Sequence, residues 1–201
     1  MGFRSYQKLY AQNMPDSKFT WGGITYGKML HLSGEAVPDS VSVSTYTQIY
    51  GMGSSSSHVV CIDQDYILPY PFDIVSALDG TISGTFKVSI YGYGDVEVSK
   101  AELSSIDIQM FAIDSDGNSR ELCDQQTVWS GDETANGGET ITIAAMYWFS
   151  IQEELYTGER LMFNIQLTGY SGGYTGNILA WMRLYHSKNT DELSVTLPLV
   201  V

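Results

Sequence analysis

Asp114-Ser115-Asp116-Gly117-Asn118 places oxygen-bearing side chains at alternate positions, as a calcium-binding loop does. Its glycine comes too early for an EF-hand. The position that should hold a bidentate glutamate is Gln125. Asp-Gly between two apolar runs is also a hairpin cue, and a turn explains the same letters. Asp63-Gln64-Asp65 is a second acidic pair and reads as a solvated turn.

The remaining candidates for chemistry are incomplete. Gly22-Gly23-Ile24-Thr25-Tyr26-Gly27-Lys28 opens like a phosphate-binding loop. Met29 then replaces the hydroxyl that would hold magnesium, and no apolar strand precedes the glycines. His31, His58 and His186 are far apart, without the short spacings of a metal site. The nucleophile elbow of a serine hydrolase needs a strand-to-helix turn, and the chain offers no amphipathic helix to follow one. Glu153-Glu154 would be a poor acid/base pair, because neighbours on a strand point to opposite faces. Tyr170 and Tyr174, in the Gly/Tyr run 169–176, are the residues that could stack on a sugar ring, or pack on a neighbouring subunit. The expectation is a chain without catalytic residues, cofactor or metal.

The elements that must carry these residues read as strands. Residues 41–50, 58–68, 85–91, 105–113, 120–129, 140–151, 161–168, 178–186 and 193–200 are β-rich, several with period-two alternation. Asp79-Gly80 and 115–118 read as turns, 51–57 as a Gly/Ser connection and 130–138 as an exposed loop. Ser5 to Gln12 could form one helical turn ended by Met14-Pro15. About eight strands with regular turn cues and no amphipathic helix point to an all-β chain. The expected architecture is an antiparallel β-sandwich of jelly-roll type over residues 41–201.

Residues 1–40 read differently, as an extended, basic and aromatic N-terminal arm. Residues 1–34 carry Arg4, Lys8, Lys18 and Lys28 against a single acid, Asp16. The rest of the chain has six basic residues against 22 acidic ones. Opposite charge on two parts of one chain suggests docking of one on the other, within a subunit or between copies. Arg4, Tyr6, Lys8, Tyr10, Lys18, Phe19, Trp21, Tyr26 and Lys28 are the expected assembly contacts. A net charge of −13 argues against direct binding to nucleic acid or to an anionic membrane. The start of the chain lacks the apolar stretch of a signal peptide. Two cysteines, Cys61 and Cys123, are too few for a disulfide framework, and the sequence does not decide whether they pair.

From residue 80 onward the chain resembles the jelly-roll structural proteins of tailed double-stranded DNA viruses. The resemblance rests on a Gly-Glu-Arg-Leu turn (Gly158, Glu159, Arg160, Leu161), a Gly-rich loop and a last strand, Val195-Thr196-Leu197-Pro198-Leu199. It implies a capsid decoration, minor capsid or neck protein, located in the virion and assembled in the host cytoplasm. The implied partners are other copies of itself and other virion proteins, such as the major capsid protein. The alternative is a carbohydrate- or receptor-binding sandwich on a virion tail or cell surface, with a glycan as ligand.

Overall fold

A computed structural model describes residues 46, 48–67, 72, 75–95, 99–172, 180–185 and 193–198, and the backbone alone of 4–10, 19–21, 24–26, 30–33, 47 and 199–200. Among these, thirteen strands follow in order: β1 (Arg4–Tyr10), β2 (Phe19–Trp21), β3 (Ile24–Tyr26), β4 (Leu30–Ser33), β5 (Tyr46–Ile49), β6 (Val59–Ile67), β7 (Ser76–Gly92), β8 (Ala101–Ile113), β9 (Ser119–Ala135), β10 (Glu139–Leu155), β11 (Arg160–Ser171), β12 (Trp181–Tyr185) and β13 (Ser194–Val200).

β2 and β3 pair separately as a two-stranded sheet, and the other eleven strands form two packed antiparallel sheets. In one, β10 flanks one side of β7, while β12 and β13 share its other side, followed by β5 and β1. The other runs β4-β6-β11-β8-β9. The eight strands β5 to β12 thus lie as β5-β12-β7-β10 over β6-β11-β8-β9. That order, with the chain crossing from sheet to sheet between them, is a jelly roll. The expected fold class is the observed one.

Alternation produces the core. Along β7, Ile82, Phe86, Val88 and Ile90 are fully buried, while the odd-numbered residues between face outward. They pack on Leu103, Ile106, Ile108 and Met110 of β8 and on Phe163, Ile165 and Leu167 of β11. Each such side chain contributes roughly 1.5–3 kcal/mol when taken from water.

Four local expectations give way to long-range pairing. In place of the helical turn expected at Ser5 to Gln12, residues 4–10 form β1, paired with β13 from Arg4↔Val200 to Tyr10↔Ser194, and 11–12 lie outside the described residues. Asp79-Gly80 is inside β7, opposite Gln152 and Ile151 of β10. Most of the expected loop 130–138 belongs to β9, leaving only a tight turn at 136–138. Asp63 and Asp65 lie in the middle of β6. In each case a neighbouring strand supplies the ladder hydrogen bonds, and this overrides the turn or helix cue.

Candidate assembly interface

Among the described residues, β9 and β10 are the two sheet edges on the same side of the sandwich, and they differ in how they end their sheets. β9 meets β8 with four register shifts, and it carries Glu121, Asp124, Asp132 and Glu133. Bulges and charges are the usual means of blunting an exposed edge. β10 has neither in its middle. Its seventeen residues pair one to one with β7, from Glu139↔Gly92 to Leu155↔Ser76, without a bulge. Thr140 to Gln152 contains no charged residue and no proline.

The outward face of β10 adds apolar surface to this open edge. Met146 is 68% exposed and Trp148 71%, the most exposed large hydrophobics described. Their inward neighbours, Tyr147 and Phe149, are buried in the core. Tyr147 stands opposite Gly84 and donates its hydroxyl to the carbonyl of Ser194 at 2.7 Å. A cleft of about 180 Å³ opens between Gln126, Thr127 and Val128 of β9 and Met146 to Phe149 of β10. Both ends of β10 are tied to β9. The 136–138 turn closes one, and Arg120 closes the other by donating to the Glu154 carbonyl at 2.7 Å.

A second surface lies on the outer face of the same sheet. Cross-strand neighbours run over β5, β12 and β7: Tyr46 with Tyr185, Gln48 with Arg183 and Ser89, and Trp181 with Tyr91, while Lys87 lies over the Tyr185 ring at 4.8 Å. The Arg183 guanidinium sits 3.8 Å from the Trp181 ring centre and 4.5 Å from that of Tyr46. Its Nε donates to Gln48 Oε1. Tyr91 stacks on Trp181 at 5.4 Å. Planar groups here pack mainly against one another, which stiffens the face.

The closest approach to a catalytic arrangement is at a bulge in β8. Ser104 Oγ lies 3.1 Å from His58 Nδ1, and His58 Nε2 lies 2.9 Å from Glu102 Oε1. The order Ser–His–Glu is that of a hydrolytic triad. The geometry works against it. Ser104 donates its proton to the Thr168 carbonyl at 2.9 Å, so the hydroxyl is turned away from a base. The Nε2 contact has an ion-pair distance but not hydrogen-bond alignment. The cluster ties β6 to β8 across the bulge.

The sequence-predicted residues fall in several places. Arg4, Tyr6, Lys8 and Tyr10 lie on β1, in register with Val200, Pro198, Thr196 and Ser194 of the same chain. Phe19 and Trp21 lie on β2 and Tyr26 on β3, with Phe19 opposite Tyr26. Lys18, Lys28 and Tyr174 lie outside the described residues. Tyr170, expected in an exposed stacking loop, is at the end of β11, only 2% exposed, with its ring 5.7 Å from that of His58. Covered by His58 and by the backbone at Gly53, it presents no ring face to a sugar.

The Asp114 turn is a hairpin, as its second reading had it. Oδ1 accepts the backbone N–H groups of Asp116 and Asn118, both at 2.9 Å, and Oδ2 accepts the Asn118 amide at 3.0 Å. These bonds hold the carboxyl below the usual range. Among the described residues no cluster of three or more His, Cys, Asp or Glu could hold a metal. Cys61 and Cys123 are both free thiols, and burial pushes Cys61 up to about 11. No described helix is long and apolar enough to cross a membrane.

Met146 and Trp148 went unremarked as site residues in the sequence. The available signal was the uncharged run 140–152 in a strongly acidic chain.

No protein-family model matches the chain. No curated protein matches it. Among solved structures it is similar to a CocE/NonD family hydrolase from Staphylococcus aureus, at 15% identity and TM-score 0.38 over 78% of this chain and 36% of that one. It is similar to a CBM22 xylan-binding domain from Paenibacillus barcinonensis, at 12% identity and TM-score 0.28 over 96% and 93%. It is also similar to the infectious bursal disease virus VP2 subviral particle, at 12% identity and TM-score 0.33 over 98% and 37%. The chain spans about a third of the first hydrolase and 25% of an alpha-amino acid ester hydrolase. Likenesses this shallow carry no functional inference.

Proposed function

We propose that this chain is a non-enzymatic structural protein of a virion, a capsid decoration or minor capsid component, that works as a homo-oligomer. The observation that carries the assembly reading is the β10 edge, long, unbulged and uncharged in its middle, with Met146 and Trp148 exposed beside it. A soluble acidic chain that blunts β9 and leaves β10 open has a use for β10. The virion location rests on the sequence resemblance of residues 80–201. The basic and aromatic residues of the arm form a second contact in this proposal. β1 is already paired in cis with β13, so the arm's covering of its own sheet comes first.

Two observations weigh against the sugar-binding alternative. Tyr170 is buried, and Trp181 packs against Tyr91 and Arg183 rather than lying bare. The triad-like cluster at Ser104 does not favour an enzyme, because its hydroxyl proton is directed at a carbonyl.

The deciding experiment is the mass of the purified chain in solution by light scattering, with and without residues 1–34. The expected result is a defined oligomer for the intact chain. A monomer at every concentration overturns the assembly reading, and a glycan-binding screen would then take its place. Retention of the oligomer by the truncated chain would remove the arm from the interface and leave the sandwich surfaces.

A further inference from the structure

The assembly reading leaves open what meets β10. We infer that β10 pairs edge to edge and antiparallel with β10 of a second copy, about a two-fold axis at Tyr147, so that one sheet runs through both subunits. This rests on the assembly reading and names its first contact.

Three arguments select a second copy as the occupant. The first is charge. The chain carries −13 overall, so two copies repel unless they meet where charge is absent. The uncharged stretch 140–152 is such a place, and it is roughly 40 Å long at ~3.4 Å per residue. A basic partner would be drawn instead to the acidic edge of β9.

The second is symmetry. An isologous contact needs one patch that complements itself. The ends of β10 are both tied to β9, by the 136–138 turn and by Arg120, so the open part is centred on the middle of the strand. The middle of Glu139–Leu155 is Tyr147.

The third is register. Antiparallel partners must share a face, so the axis falls on a residue and the choices step by one. An axis at Tyr147 sets Met146 against Trp148 of the other copy, Ala144 against Ser150 and Thr142 against Gln152. Glu153 then faces Ile141, and Glu154 faces Thr140, so no two acids meet. An axis at Met146 would put Glu139 opposite Glu153. An axis at Trp148 would leave Glu139 and Thr140 without a partner within the other strand. Of these three, the Tyr147 register centres the two open stretches on each other with no acids opposed. It also brings a thioether to an indole, which is a favourable contact, and closes the β9/β10 cleft from outside.

The test uses two versions in a Cys123→Ser background, Met146→Cys and Trp148→Cys, in which the other remaining thiol, Cys61, is buried. Both positions are exposed, so folding is not at stake. Directly opposed strand residues have Cα atoms about 4.5–5.5 Å apart, which suits a disulfide. Mild oxidation of the two versions mixed should yield a cross-linked heterodimer well beyond what either gives alone. Trp148→Glu in the native background should lower the solution mass by a factor of two without changing the circular dichroism spectrum. If the intact chain is an oligomer but the mixture does not cross-link preferentially, β10 pairing is overturned and assembly through other surfaces stands. If the intact chain is a monomer, both readings fall together.

Discussion

Arg120 and Glu159 meet fork to fork: Nε donates to Oε1 at 3.2 Å and Nη2 to Oε2 at 2.9 Å. The same Nη2 donates to the Glu154 carbonyl, and Glu159 Oε2 accepts the Tyr156 N–H at 2.8 Å. One pair therefore joins the start of β9, the end of β10 and the turn into β11. Glu159 is the acid of the Gly-Glu-Arg-Leu turn, and Gly158 before it takes a φ of 91° that favours glycine. Glu159 raises the Arg120 guanidinium above its ordinary value, chiefly through this hydrogen bond.

Glu159→Gln keeps the shape and removes the charge. We expect a loss of about 1–2 kcal/mol, since hydrogen bonds to ionised groups are worth about that much beyond neutral ones. Urea unfolding of both forms measures it. A loss below a few tenths would mean that Arg120 finds enough support from Glu153, 3.5 Å away, to do without Glu159.

Gly84→Ala should be among the most damaging single substitutions in the chain. A methyl group there would land on the Ser194 carbonyl oxygen and the Tyr147 hydroxyl, and the first is backbone that cannot step aside. The expected cost is about 2–4 kcal/mol, the range for overpacking combined with a broken buried hydrogen bond. The readout is thermal unfolding. Tyr147→Phe in the same background should give no rescue, because the ring carbon under the hydroxyl would also lie 2.6 Å from the added methyl group.

Two carboxyls make opposite contributions with pH. Asp65 is held above the usual range by burial, with the Asn164 amide pulling it down and Asp63 pushing it up. The folded state then binds the Asp65 proton more tightly than the unfolded chain does. Ionised Asp65 costs stability at neutral pH, and the cost disappears as pH falls through the raised folded value towards about 3.9. Asp65→Asn should raise Tm at pH 7, with a gain that shrinks in acid. A lower Tm at pH 7 would show that the 2.7 Å hydrogen bond from Asn164 outweighs burial. Asp114 is lowered, so its contribution is present above the ordinary carboxylate value and is lost as pH falls through the lowered one. Protection of the Asp116 and Asn118 amides against exchange, taken relative to the intrinsic rate at each pH, should fall on that descent and hold above it.

The jelly roll was legible because each of its signals is local. Alternation along residues such as 85–91 sets an inner and an outer face wherever the strand ends up. Asp116-Gly117 turns between β8 and β9 because Gly117, at φ 86°, takes a conformation that other residues resist. Where the reading failed, the same kind of cue was present and lost. Asp79-Gly80 has the letters of a turn, yet β10 supplies partners on one side and β13 runs beside it on the other, so the chain stays extended. Tyr170 has the letters of a ligand loop, yet it lies in β11 opposite Glu102 and is covered beside His58.

By itself the sequence determined the class of fold, the charge of the body and the run of thirteen uncharged residues at 140–152. It could not say whether that run was a central strand or an edge. A central strand and an open edge want the same apolar alternation, because alternation reports which side faces the core and not how many neighbours the backbone has. Only the tertiary arrangement decided that β7 lies on one side of β10 and that, among the described residues, the other side is open between its two tied ends. That neighbour count, set by pairings between residues some 60 positions apart in the chain, turns Met146 and Trp148 from core-like letters into surface.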